Sequence, residues 1–206
     1  MEPVAGKRIL EVACGRGGFA SFLASKGAIM FGADFSRVAL NIARQRESGN
    51  RAAVVALAQA DAQQLPYADE SFDIIVSCET IEHLPDPQQG LKEMARVCRT
   101  GGLLYLTTPN YFNFMGLYYL YARLRNRKAT PGADQPYDRA FLFLQVRRML
   151  GRAGWKINRS DGTVHQFPVF PGHDPIGVAS IERNRSVRRM LSPFALHYFV
   201  VTEKKK

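Results

Sequence analysis

The chain alternates short apolar runs with amphipathic stretches, and most of the apolar runs close on a glycine or an acidic residue. Arg8–Ala13 (RILEVA) is short, apolar and followed by a glycine cluster, which predicts a buried parallel strand. Gly18–Ser25 follows with Phe19, Phe22 and Leu23 at helical spacing, and Lys26-Gly27 ends that helix. Ala28–Ala33 predicts a second strand that leads into Asp34. Ser36 can cap a helix to about Arg46, with Val38, Ile42 and Ala39 on its buried face. Val54–Ala58 and Phe72–Ser77 predict the next two strands, leading to Asp61 and Glu79. A helix over Asp86–Cys98 then turns at Thr100-Gly101-Gly102 into a fifth strand, Leu103–Thr108. Strand and helix in alternation predict an α/β fold, with a mostly parallel sheet covered on both faces.

The rhythm breaks over 111–138. YFNFMGLYYLYA is dense in aromatic and apolar side chains and is followed by Arg123, Arg125, Arg127 and Lys128; ATPGADQPYD then reads as a loop. Beyond it come an amphipathic helix over Arg139–Gly151 and a strand over Trp155–Arg159. A basic helix over Ser180–Leu191 and a closing strand over Pro193–Glu203 complete the pattern. With no internal repeat and no low-complexity linker, residues 1–206 read as a single domain with an insertion at about 111–138. The insertion fits a lid over a hydrophobic substrate or a helix lying on an anionic membrane surface. Stacking on single-stranded nucleic acid is the third reading, and the lack of any recognisable RNA-binding module ranks it below the other two.

Composition narrows the class. Hydrophobic residues make up 46% of the chain and charged residues 22%, which describes a globular protein and excludes a disordered one. Three cysteines without a CxxC pair argue against a disulfide framework or a zinc site, and point to a reducing, cytoplasmic setting. The N-terminus lacks a secretory pattern, and no apolar run approaches the ~20 residues that span a bilayer. The net charge of +10 is uneven: residues 1–110 carry 11 basic and 12 acidic side chains, residues 111–206 carry 17 and 6. The second half therefore bears the basic surface, which suits an anionic partner and peripheral contact with an anionic membrane.

In open parallel sheets ligands bind beyond the carboxyl ends of the strands, and the polar residues fall there: Glu11 with Gly15, then Asp34, Asp61 and Glu79. The first loop, EVACGRGG, is near the dinucleotide fingerprint GxGxxG without matching it. An acidic residue in this turn suits a ligand with an ammonium group and would repel a pyrophosphate. Asp34 lies 19 residues beyond Gly15, close to the spacing of a carboxylate that binds ribose hydroxyls.

ILEVACGRGG, GADFSRVALNIAR, ADAQQLPYADESFDIIVSCETIEHLPDP and LKEMARVCRTGGLLYLTTPN occur in this order. Together they resemble the successive motifs of the class I S-adenosylmethionine-dependent methyltransferases, including those of ubiquinone-biosynthesis O-methylation. The resemblance implies a Rossmann-like, doubly wound seven-stranded sheet, mostly parallel, with a closing antiparallel strand. It implies S-adenosylmethionine as cofactor. Its methionine part would lie over Glu11, Ala13, Gly15 and Gly17, its ribose on Asp34 beside Phe35, and its adenine against Asp61 and Ala62. Ser77, Cys78 and Glu79 would line the methionine side. Ala13 stands where the family often has a glycine, and the helical sequence that precedes the first strand in many relatives is nearly lacking.

Glu79, Glu82 and His83 form ExxEH after the fourth strand. If Glu79 opened a helical turn, the three would share one face and could bind Mg²⁺. The segment resembles elements of methyltransferases described as metal-assisted, acting on catechol-like quinone precursors or on the 2′-hydroxyl of small RNAs. The plainer reading makes Glu82 and His83 local structure, with His83 near the substrate; a fourth ligand would have to come from His165 or His173. A hydroxyl acceptor must lose its proton, and His83 is the first candidate for the base. The expected activity is O-methylation of a small-molecule or lipid-like acceptor. Metal-assisted RNA 2′-O-methylation and a non-catalytic binding module are the alternatives. A nicotinamide-dependent oxidoreductase is disfavoured by the glycine spacing.

Overall fold

The computed structural model describes residues 3–48, 55–110, 139, 141–163, 166–167, 176–177 and 183–205. The elements run β1 (Arg8–Val12), α1 (Gly18–Ala24), β2 (Ile29–Asp34), α2 (Arg37–Ser48), β3 (Val55–Gln59), β4 (Phe72–Cys78), α3 (Pro87–Val97) and β5 (Cys98–Pro109). They continue with α4 (Phe143–Arg152), β6 (Trp155–Thr163), the short strands β7 (Gln166–Phe167) and β8 (Ile176–Gly177), α5 (Arg185–Met190) and β9 (His197–Lys204). Seven strands form one sheet in the order β3-β2-β1-β4-β5-β9-β6. β9 runs antiparallel to both its neighbours, and the β1–β2, β1–β4, β2–β3 and β4–β5 pairs are all parallel. This is the doubly wound α/β sheet with a closing antiparallel strand.

The uninterrupted apolar runs follow from burial on both sheet faces. On β1, Leu10 and Val12 join Ile75, Leu104 and Leu106 in a core that includes Leu91 and Met94 of α3 and Val146 and Leu150 of α4. Ile9, on the opposite face, packs with Met30, Ile74 and Val76 against Ala20, Leu23 and Ala24 of α1. Trp155 is fully buried, and its indole Nε1–H donates to the Leu91 carbonyl at 3.1 Å, joining β6 to α3.

The buried helix faces differ from the expected ones. α1 buries Ala20, Leu23 and Ala24, while Phe19 and Phe22 stack on each other at its surface. α2 buries Leu40 and Ala43; Val38 is 70% exposed, and Ala39 and Ile42 are half-buried. Small residues at the contacts let each helix lie close to the sheet, and the bulkier side chains turn outward. Ser36 does cap α2, its Oγ accepting from the Ala39 amide at 3.2 Å.

β5 starts earlier than expected. Cys98 pairs with Phe72, then the register shifts so that Ile74 pairs with Leu103, and Gly101 bends the backbone at φ +72°. β9 starts later, because Ser192–Phe194 form a 3₁₀ turn. The proposed insertion at 111–138, His165, His173 and the start of the basic helix at 180–182 lie outside the described residues. No helix among the described residues is long and apolar enough to cross a membrane.

Candidate functional site

In this strand order the chain leaves β1 for β2 on one side and β4 for β5 on the other, so a crevice opens beyond the carboxyl ends of β1 and β4. The loop after β1 carries left-handed backbone at Ala13 (φ +58°), Gly15 (φ +52°) and Gly17 (φ +72°). Its anchors are Cys14 N to the Ala33 carbonyl at 3.1 Å and Gly17 N to the Cys14 carbonyl at 2.9 Å. Asp34, at the end of β2, ties the loop down: Oδ2 accepts from Gly15 N at 2.7 Å and Oδ1 from Ser36 N at 2.8 Å.

A cavity of about 540 Å³ opens across these tips. Ala13, Asp34, Phe35, Asp61, Ala62 and His83 line it, so six of the residues singled out in the sequence share one space. Thr80, Leu84 and Pro85 form its rim on the β4 side, together with Gln63 beside Asp61. Asp61 accepts from the Gln63 backbone amide at 2.8 Å, and the Gln63 side chain accepts from Asp86 N at 2.8 Å. The α3 cap is thereby joined to the cavity wall, since Asp86 receives the Gln88 and Gln89 amides. Gln63, Thr80, Leu84 and Pro85 carried no chemical signal of their own in the sequence.

Glu11, Gly15, Gly17, Ser77, Cys78 and Glu79 are not on the cavity wall. Glu11 lies beneath the loop at 6% exposure, and its Oε2 has no hydrogen-bond partner among the described residues. Burial raises its carboxyl to about 7; a hydrogen bond from the Ala20 backbone opposes the rise and the charge of Asp34 adds to it. Ser77 is buried with no partner for its hydroxyl among the described residues, and Cys78 ends β4.

The ExxEH donors do not converge. Glu79 precedes a 3₁₀ turn of only three residues, Ile81–His83, and itself takes left-handed backbone at φ +48°. Its Oε2 lies 3.0 Å from His197 Nδ1. Glu82 is fully buried: Oε2 accepts from Thr108 Oγ1 at 3.0 Å, and Oε1 lies 3.9 Å from His83 Nε2. Burial is the main reason its carboxyl rises to about 7. Among the described residues no three His, Cys, Asp or Glu side chains group to hold a metal ion. The Mg²⁺ expectation required a helical register that the left-handed Glu79 prevents. The residues present do not fit the metal.

Strand order, glycine loop and paired strand-end carboxylates define a cofactor-binding protein of the doubly wound α/β class. Residues 10–106 match the family model described as a methyltransferase domain. The methyltransferase GfsG of Streptomyces halstedii is 48% identical over 102 residues, covering 48% of this chain and 37% of that protein. A demethylmenaquinone methyltransferase of Mycobacterium sp. (strain KMS) is 35% identical over 153 residues, covering 72% of this chain and 64% of that protein. The chain thus spans about half the length of the curated relatives it matches. In fold it is similar to the crystal structure of an S-adenosylmethionine-dependent methyltransferase from Mesorhizobium loti. That TM-score is 0.69 at 18% identity, covering 99% of this chain and 94% of that one. Residues 10–106 thus carry a methyltransferase domain, and the chain is similar in fold to S-adenosylmethionine-dependent methyltransferases.

Proposed function

We propose that this protein transfers the methyl group of S-adenosylmethionine to a hydroxyl of a small-molecule or lipid-like acceptor. The observation that carries this reading is the pair of strand-end carboxylates, Asp34 and Asp61, on one cavity wall with His83 on the same wall. The residues present fit the cofactor. Beside Gly15 a Cβ would meet nothing within 4 Å, so the loop leaves open space for a ligand, and Oε2 of Glu11, without a hydrogen-bond partner among the described residues, lies under that loop. When bound, S-adenosylmethionine supplies a methyl carbon made electrophilic by its sulfonium.

The protein's own contribution is to bind, orient and exclude water. Asp34 takes the ribose hydroxyls beside Phe35. Asp61 and the Ala62 amide meet the adenine edge, and Glu11 balances the ammonium. Gly15 and Gly17 admit the methionine chain, which Ser77, Cys78 and Glu79 flank. His83 is placed to contact the acceptor hydroxyl, as base or as hydrogen-bond partner. The name of the Mycobacterium relative, a demethylmenaquinone methyltransferase, supports a lipid-like acceptor.

Calorimetry with S-adenosylhomocysteine tests the assignment of Asp34. Asp34→Ala removes both the ribose ligand and the anchor of the loop, and should weaken binding about a hundredfold, since each hydrogen bond to a charged group is worth about 1.5–3 kcal/mol. Glu82→Ala should weaken binding no more than about threefold, because Glu82 faces Thr108. Equal losses would remove Asp34 from its role.

A further inference from the structure

One histidine that the ExxEH pattern does not contain sits at this end of the sheet. His197 opens β9, paired in register with Pro109 at the end of β5 and Thr163 at the end of β6. Its Nδ1 lies 3.0 Å from Oε2 of Glu79, which follows β4 and adjoins Thr80 on the cavity rim. Both side chains are 37% exposed, so the pair is open to solvent.

The placement is built with some care by the fold. Buried Asn110 holds the chain just before His197: its amide N donates to the Leu196 carbonyl at 2.6 Å, and its Nδ2 to the Ala195 carbonyl at 2.8 Å. Glu79 N is held by the Thr107 carbonyl at 3.1 Å, and its left-handed backbone costs about 1–2 kcal/mol for a residue with a Cβ. Such strain tends to collect where a side chain must be aimed. An imidazole whose Nδ1 is engaged by a carboxylate has its tautomer and orientation fixed, with Nε2 left to exchange a proton.

Resting on the methyl-transfer reading above, we propose that His197, held by Glu79, receives the proton of the acceptor hydroxyl. His83, on the cavity wall, then holds the acceptor oxygen. In the step, the hydroxyl oxygen forms its bond to the methyl carbon as the sulfur–methyl bond breaks, with that electron pair going to sulfur. The hydroxyl proton passes to Nε2 of His197, and the Glu79 carboxylate balances the imidazolium so formed. The charged groups acting on this ring are Glu79 and, more weakly, Glu82. The hydrogen bond to Glu79 raises the imidazole above its ordinary value against the opposing effect of burial. Glu79 is a positioning residue in this scheme.

The test is a histidine-detected NMR titration of the full chain saturated with S-adenosylhomocysteine, with phenol as the hydroxyl probe. His197 should titrate above the ordinary histidine range, fall back towards it in Glu79→Gln, and shift when phenol is added. A His197 signal that phenol leaves unmoved, or a response confined to His83, overturns this assignment while S-adenosylhomocysteine binding still upholds the cofactor site. Failure of the unaltered chain to bind S-adenosylhomocysteine overturns both.

Discussion

Glu11 is a buried carboxyl group with one oxygen that has no hydrogen-bond partner among the described residues, so a neighbouring cation is worth more to it than to an exposed carboxylate. With a folded value raised to about 7, it is mostly neutral in mild acid and mostly ionised in mild base. Only the ionised form offsets a ligand ammonium. Affinity for S-adenosylhomocysteine should therefore rise with pH through this range, about tenfold from roughly pH 6 to roughly pH 8. Calorimetry across the range measures it, and Glu11→Gln should give a flat profile; a flat profile in the unaltered chain would take Glu11 out of the site. Asp34 and Asp61 were legible in the sequence because each follows a strand whose apolar run is unmistakable. His197 was not, because its partner Glu79 lies 118 residues away and meets it only when β9 closes the sheet. The metal reading of ExxEH failed for a local reason. Three donors at helical spacing converge only on a helix, and here there is a left-handed residue followed by a single 3₁₀ turn.

The element that does most to shape the site is the loop between β1 and α1. Its two glycines separate by physical role. A Cβ on Gly17 would come within 3.0 Å of the Ala43 Cβ on α2, at a backbone φ of +72°, so this glycine lets the two helices approach. Gly15 also has positive φ, but a Cβ there would enter open space. Gly17→Ala should therefore lower thermal stability more than Gly15→Ala, whose backbone cost alone is about 1–2 kcal/mol. Gly15→Ala should lose at least tenfold in S-adenosylhomocysteine affinity. Thermal melts and calorimetry on the two variants check this, and a Gly15→Ala chain that binds normally would show that the ligand does not pass over the loop. Ala13 shows that a methyl group is accommodated at φ +58°, where its side chain is exposed. β1 to β4 were read to within a residue at each end, since burial on both faces leaves little room for polar positions, whereas the starts of β5 and β9 and the end of β6 were not. The helix faces were read less well. In α1 and α2, Phe19, Phe22 and Val38, which marked the period, sit outside, and leucine and alanine side chains make the contacts.

At the scale of the molecule, the order β3-β2-β1-β4-β5 gathers residues from four loops onto one end of the sheet, which no single motif reveals. Charge divides along the chain, with the near-neutral first half supplying the cavity and the basic second half supplying α4, α5 and the strands that close the sheet. On the proposed reading, the cavity takes a nucleoside carrying an amino-acid tail rather than a dinucleotide. Isothermal titration of the intact chain with S-adenosylhomocysteine, and separately with NADH, tests it most directly. Micromolar binding of the first with no binding of the second is the predicted result, because Glu11 beneath the loop would repel a pyrophosphate. Binding of NADH, or of neither ligand, would contradict it.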